Sequence, residues 1–283
     1  FTAPYYHTGA DENNGKVWEN NPQIIQFTKD NKINNTDELQ RYFVNRLRDI
    51  LRKHNKQMIG WEEVFNTDLP EDVVVQVWGA MGAKSANPVE IAEKGNPVLI
   101  SKGFYLDYFY PASFHYLNPE IPDATNRNLL GGEAALWAEL VDENTFEGRA
   151  WPRAAAVAER LWSPADIIDV DDMYRRLFII SDRLEIDGLD HNFNRERMLA
   201  SLCNLQETES AQKLIDILTP VSGYVRLMAQ MRSPDNIKSQ SVPLVSLVDL
   251  VACDSRNAWN FGKLVENYLH SEDLNQKEII KQQ

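Results

Sequence analysis

The sequence predicts an α/β fold: a partial (β/α)8 barrel in residues 1–197, followed by a mainly helical extension over residues 198–283. Three observations predict it. Up to about residue 165, short apolar runs alternate with amphipathic stretches, as in a parallel sheet whose strands are buried on both faces. Each apolar run ends in a tryptophan or tyrosine, usually beside a carboxylate, and barrels gather their catalytic groups at the carboxyl ends of strands. Past residue 198, helical patterns continue and no strong strand follows. An open sheet shares the alternation; the strand-end chemistry favours the barrel.

The strand candidates are 57–64, 73–79, 97–103 and 129–137, rich in Val, Ile, Leu and aromatics and bounded by Pro, Gly, Asn or Asp. They end in Trp61-Glu62-Glu63, Gln76-Val77-Trp78, Tyr105-Leu106-Asp107 and Trp137-Ala138-Glu139. Ahead of them, Leu39, Tyr42, Phe43, Arg46, Leu47, Ile50 and Leu51 recur at helical spacing, with Thr36 placed as N-cap. Residues 89–94 form a short helix closed by Gly95. Residues 151–162 form an Ala-rich helix with Pro152 in its first turn, stopped by Ser163-Pro164. Another helix spans 174–186 and closes at Gly188. In the extension, 206–218, 221–231 and 254–270 read as helices, punctuated by Thr219-Pro220 and Ser233-Pro234.

Composition narrows the chemistry. With 43% hydrophobic and 25% charged residues, the 283-residue chain can bury a sizeable core. A net charge of −13 and no basic stripe argue against a nucleic-acid partner. No apolar run approaches the roughly 20 residues of a membrane span. Cys203 and Cys253 lie in unrelated contexts, so neither a zinc site nor a disulfide framework is expected, and no cofactor either. The one Asn-x-Thr sequon, at Asn34, is a match that chance alone supplies.

The chemical centre is His7-Thr8-Gly9-Ala10-Asp11-Glu12, followed by Asn13-Asn14-Gly15. Neighbouring strand residues point to opposite faces, so Asp11 and Glu12 can serve one pocket only where a strand ends. Small residues before the pair and a turn after it supply such a place. In an apolar, aromatic-lined setting two carboxylates titrate apart, one ionised and one held as an acid. Tryptophan offers a flat, stiff surface to the apolar face of a ligand. Trp18, Trp151, Trp162 and Trp259 read instead as core residues. His54, His115, His191 and His270 read as surface or loop residues, and Glu159 and Arg160 as structural ion-pair partners. Glu62 and Glu63 stay open between touching substrate and supporting Trp61.

These residues resemble the family 20 glycoside hydrolases, the β-N-acetylhexosaminidases, whose signature is His-x-Gly-Gly-Asp-Glu at the end of the fourth barrel strand. Likeness continues in order through Trp61-Glu62-Glu63-Val64, Val77-Trp78, Tyr105-Leu106-Asp107, the segment from Gly131 to Glu139, and Trp151-Pro152-Arg153 through Glu159-Arg160-Leu161-Trp162. Ala10 departs from the second glycine and adds one methyl.

The resemblance implies retaining, substrate-assisted hydrolysis of terminal N-acetylglucosamine or N-acetylgalactosamine, an exception to the two-carboxylate scheme. The 2-acetamido oxygen attacks the anomeric carbon and gives an oxazolinium ion. Glu12 is then the acid and base, Asp11 orients the acetamido N–H, and Tyr105 donates to the acetamide oxygen. His7, Trp61, Trp78, Asp107, Trp137 and Glu139 are substrate-binding residues. The resemblance also implies that barrel strands four to eight are present and that strands one to three, with a sugar-gripping arginine, lie outside this chain. On its own, the chain is then expected to be weakly active or inactive, or to pair as a homodimer. An extracytoplasmic location follows from the substrate class. A carbohydrate-binding protein without catalysis is the alternative; it has no need to keep Asp11, Glu12 and Tyr105 together.

Overall fold

The computed structural model describes residues 2–79, 86–119, 121, 126–204, 208–233, 242–271 and 279–280. One parallel sheet of five strands runs in chain order: β1 (Tyr5–His7), β2 (Gln57–Trp61), β3 (Val74–Val77), β4 (Val98–Ile100) and β5 (Leu129–Gly132). Its register is read from Tyr6 opposite Met58, Gly60 opposite Val75, and Gln76 opposite Leu99. Parallel neighbours need crossovers. Between β1 and β2 the chain forms α1 (Lys16–Glu19), α2 (Pro22–Asp30) and α3 (Thr36–Lys53), and α4 (Pro88–Lys94) lies between β3 and β4. The later helices are α5 (Ala112–Tyr116), α6 (Phe146–Ala150), α7 (Arg153–Trp162), α8 (Val170–Ile186), α9 (His191–Leu202), α10 (Glu209–Ile217), α11 (Val225–Met231), α12 (Leu247–Leu250) and α13 (Arg256–Ser271).

Contacts divide the chain into two compact units. Unit 1 is Phe1–Gly103 with Pro119–Glu133; unit 2 is Phe104–Asn118 with Ala134–Gln283. The division expected at 197/198 falls inside α9. In unit 1 the core is the sheet. All four residues of β3 are buried, and Met58, Val98 and Ile100 pack beside them. Full burial of each such aliphatic side chain is worth about 1.5–3 kcal/mol. Unit 2 has two apolar clusters. One joins Ala112, Tyr116, Ala156, Met173 and Leu177; the other joins Leu199, Ile215, Leu250 and Val251.

All four expected strands form, each shorter than its apolar run. The first stops at Trp61, and Glu62–Val64 turn into a 3-10 helix. Gly60 permits this, because a Cβ there would sit 2.7 Å from Val64 Cγ1. The last stops at Gly132: the pairing slips so that Leu129 faces Val98 but Gly131 faces Leu99. Gly131 takes φ +131°, which a side chain would resist. Further on, Tyr105 and Ala135 form a parallel bridge within unit 2.

Several expectations need correction. Asn35, not Thr36, caps α3, because the Asn35 side chain accepts from the Glu38 N–H at 2.8 Å. Thr36 instead packs its methyl where a Cβ on Gly15 would come within 2.5 Å. The α3 face buries Leu39 and Val44, while Tyr42, Phe43 and Ile50 are exposed. Helix α7 begins at Arg153, with Pro152 as its N-cap. Helix α8 begins four residues early, at Val170, because Asp169 caps it through the Asp172 N–H at 3.0 Å. Trp162 is 90% exposed, so it is no core residue. His115 and His191 are buried rather than surface residues; His191 Nε2 lies 2.7 Å from Ser181 Oγ. Glu159 pairs with Arg176 as an ion-pair partner, but Arg160 donates to the Ala165 carbonyl. In the extension, α10, α11 and α13 form inside the expected segments, with α13 running one residue further; Gln206 and Pro234 lie outside the described residues.

Candidate active site

In unit 1 the candidate residues follow the carboxyl ends of the first three strands. After β1 the backbone leaves the sheet through residues with left-handed dihedrals: Gly9 at φ 70°, Ala10 at 77° and Glu12 at 51°. Such a path costs on the order of 1 kcal/mol or more at each non-glycine residue and persists only where the surroundings fix it. Here four neighbours fix it. Thr8 N donates to the Ile59 carbonyl at 2.8 Å, and Trp61 N donates to the Gly9 carbonyl at 3.0 Å. Gln40 Nε2 reaches from α3 to the Ala10 carbonyl at 2.7 Å. Glu12 N donates to Glu63 Oε1 at 3.3 Å. Beyond the pair, Asn13 and Asn14 accept from Gly15 N and Lys16 N at 3.0 and 3.1 Å, so the expected turn is built from side-chain caps.

Asp11 and Glu12 are both exposed. His7 has a job inside the loop: its Nδ1 accepts the Gly9 N–H at 3.0 Å, and its ring meets Trp61 edge-on at 4.9 Å. An accepting Nδ1 is unprotonated, so the ring is neutral in this geometry. Desolvation of the ring holds its pKa below the ordinary histidine value, against the opposing pull of Glu133, a hydrogen bond to Gln76, and Asp11. Gln76 in turn donates to Ser101 Oγ at 2.7 Å and to Glu133 Oε1 at 2.9 Å. Trp78 donates its indole N–H to Glu63 Oε2 at 3.1 Å. Glu62 is buried and accepts from Ala86 N at 3.3 Å.

In unit 2 the candidates form an aromatic cluster around one buried carboxylate. Leu106 N donates to the Ala135 carbonyl at 2.8 Å, and Ala135 N donates to the Phe104 carbonyl at 3.2 Å, which brings the two segments side by side. The Tyr105 ring lies 6.3 Å from Trp137 and 5.2 Å from Tyr108, both edge-on, and Tyr108 lies 4.9 Å from Tyr224. Tyr105 is buried, whereas Trp137 keeps 40% of its surface open. Asp107 is buried, and its Oδ1 has no hydrogen-bond partner among the described residues. Burial pushes its pKa up to about 6; hydrogen bonds from the backbone of Trp137 and of Asp107 itself oppose this, Glu139 adds to it, and Arg149 opposes it. Arg149 lies over the Phe109 ring at 3.8 Å, and burial lowers its pKa to about 10. Below the cluster, Arg153 is fully buried and donates to the carbonyls of Tyr110, Leu106 and Arg149.

The structure therefore groups His7, Asp11, Glu12, Trp61 and Trp78 in unit 1, and Tyr105, Asp107, Trp137 and Glu139 in unit 2. Gln40, Gln76 and Tyr224 were given no role from sequence, and Glu63 was left open between touching substrate and supporting Trp61. A lone glutamine inside Val74-Val75-Gln76-Val77 is a legible signal, since a buried strand keeps a polar side chain only when it is bonded. Gln40, one polar position on a mostly polar helix, carries no such signal. No group of His, Cys, Asp and Glu able to hold a metal ion occurs among the described residues. There too, no helix is long and apolar enough to cross a membrane.

Residues 1–165 match the glycosyl hydrolase family 20 catalytic domain. Over 191 residues the chain is 36% identical to the human beta-hexosaminidase subunit beta, covering 62% of this chain and 34% of that protein. It is 30% identical over 215 residues to a beta-hexosaminidase of Porphyromonas gingivalis, covering 68% and 27%. Among solved structures, a chitobiase of Flavobacterium johnsoniae superposes with a TM-score of 0.86 at 35% identity, over 99% of this chain and 43% of that one. An exo beta-N-acetylglucosaminidase of Vibrio harveyi, in complex with N-acetylglucosamine, gives 0.58 at 27% identity over 67% and 33%. The chain thus spans about a third of the length of the curated relatives it matches. With its motifs in the family's order, and with more than half its length matched by the catalytic domain, the chain belongs to glycosyl hydrolase family 20.

Proposed function

We propose that the protein to which this chain belongs is a β-N-acetylhexosaminidase that removes terminal non-reducing N-acetylhexosamine from glycans. In this reading residues 1–197 are the C-terminal part of a (β/α)8 barrel, about strands four to eight, and residues 198–283 are its helical extension. Glu12 protonates the glycosidic oxygen as the bond to the anomeric carbon breaks. The substrate's acetamide oxygen forms the new bond there, giving an oxazolinium ion. Glu12, now ionised, takes a proton from water as that water attacks the anomeric carbon and reopens the ring. Asp11 accepts the acetamido N–H and offsets the positive charge; Tyr105 donates to the acetamide oxygen. Holding an intramolecular nucleophile in line is a proximity effect, which removes several kcal/mol of barrier in favourable cases. Trp61, Trp78 and Trp137 face the sugar and its acetyl methyl, Asp107 and Glu139 take its outer hydroxyls, and His7 acts at the same sugar through the loop it holds. An extracytoplasmic setting and pairing of two copies belong to the same reading.

One observation carries it: the strained Gly9–Glu12 path, held by hydrogen bonds from β2, α3 and Glu63. Such strain collects where a side chain must be presented in one place. The test is hydrolysis of a chromogenic N-acetylglucosaminide beside the matching glucoside, which lacks the acetamide. The expected result is turnover of the first alone, with Glu12→Gln lowering kcat by about 10²–10⁴-fold while ligand binding persists. Full activity in Glu12→Gln removes the assignment of the acid, and equal turnover of the glucoside removes the acetamide nucleophile.

A further inference from the structure

Glu63 spends both carboxylate oxygens on groups of the candidate site. Oε1 accepts the backbone N–H of Glu12 at 3.3 Å, and Oε2 accepts the indole N–H of Trp78 at 3.1 Å. Among the described residues no lysine or arginine pairs with it. This carboxylate is therefore used as a two-pronged acceptor and not as half of an ion pair. An ionised acceptor makes hydrogen bonds roughly twice as strong as a neutral one.

The carboxylate is also set in place. Glu63 stands in the 3-10 turn Glu62–Val64. On one side, Trp61 N is bonded to the Gly9 carbonyl; on the other, Phe65 N is bonded to the Glu62 carbonyl at 3.0 Å. Val64 folds back onto Gly60, where no Cβ would fit. The turn is thus fixed against the very loop that carries Glu12, whose φ of 51° has to be held from outside. Its sister Glu62 points elsewhere, to Ala86 N.

We infer that Glu63 is a positioning residue that locks the strained acid loop and the Trp78 indole into one arrangement, so that the proton donor and an aromatic wall of the sugar site keep a fixed relation. This rests on the proposed function for its kinetic consequence, but not for its structural one. The two N–H groups meet different oxygens of Glu63, and a glutamine here replaces one of them with an N–H₂ that opposes the donor it faces.

The experiment uses the full-length protein with Glu63→Gln and Trp78→Phe, singly and together, on aryl N-acetylglucosaminides with a poor leaving group (phenol) and an activated one (2,4-dinitrophenol). Proton donation matters most when the leaving group is poor. Misplacing the acid should lower kcat about 30-fold or more on the phenyl glycoside and under about 5-fold on the dinitrophenyl one. Because both side chains act through one carboxylate, the double variant should lose less than the product of the single losses. Equal losses on the two substrates, or strictly multiplicative losses, overturn the inference. Hydrogen exchange of the Trp78 indole N–H and the Glu12 amide is the readout independent of turnover. Both should exchange faster in Glu63→Gln, and unchanged rates also overturn it. If the parent protein hydrolyses neither substrate, the functional reading fails while exchange still decides the role of Glu63. Should Glu63→Gln fold poorly, Glu63→Asp, which keeps the charge but shortens the reach, is carried through the same measurements with the same outcomes.

Discussion

The two carboxylate settings differ in how the protein controls them. In unit 1, Asp11 and Glu12 are exposed, and control is exerted on the backbone: three left-handed residues, with donors and acceptors from β2, α3 and Glu63 around them. In unit 2, Asp107 sits on an ordinary local path in a 3-10 turn, and control is exerted on its solvation: it is buried beside an aromatic cluster, with one oxygen unbonded among the described residues. In the proposed function, placement suits an acid that must meet one bond of a substrate at a defined moment. Desolvation suits a group that takes hydroxyls, since a buried acceptor left unpaired gains most when a ligand supplies the missing donor.

Breaking the first setting should cost most. Asp11→Asn keeps the shape but removes the charge that, in the proposed function, offsets the oxazolinium, and kcat on an aryl N-acetylglucosaminide should fall by about 10²–10³-fold. A loss under tenfold would remove Asp11 from the charge-stabilising role. Tyr105→Phe should follow at about 10–10²-fold in kcat, from loss of the donor proposed for the acetamide oxygen, with its ring contacts to Trp137 and Tyr108 retained.

The second setting is sharpened by pH. With its pKa raised to about 6 from an unfolded value of 3.8, Asp107 keeps a proton in the folded protein that the unfolded chain has already released. Its contribution to stability is therefore most favourable below about pH 4 and is lost as the pH rises through 6. As the carboxylate forms over the same window, it becomes a pure acceptor, so KM should fall with rising pH. Asp107→Asn should remove both trends and raise KM about tenfold, read from Tm and KM between pH 4 and 8. Persistence of the KM inflection in that variant would assign it to another group. The smallest effect belongs to the loop backbone. Ala10→Gly relieves a φ of 77° and should raise stability by about 1 kcal/mol, seen as a small rise in Tm with the kinetics unchanged.

Much of this was legible in the sequence, for a local reason. Apolar runs with turn residues between them marked all four strands after β1, and the Asn13-Asn14-Gly15 turn was marked by residue types that cap their own backbone. What periodicity misplaced were element ends: Gly60 and Val64 decide where β2 stops, Gly131 where β5 slips, and Asn35 and Asp169 where α3 and α8 start. A single interlocking side chain or cap settles each, and an average over a window cannot see it.

The order of the motifs, the Asp11–Glu12 pair at a strand end and the membership of family 20 were determined by the sequence itself, because each depends on residue types in chain order. Only the tertiary structure decided that Glu63 accepts from Glu12 and Trp78, that His7 holds Gly9, and that Trp162 stands exposed while His115 is buried. The same holds for the solvation of Asp107. Glu12 and Glu63 are 51 residues apart in the chain, and a hydrogen bond across that distance exists only once β1 and β2 pair. Desolvation likewise belongs to the packed neighbourhood and not to the residue, so the chemistry each carboxylate can perform is fixed when the chain closes around it.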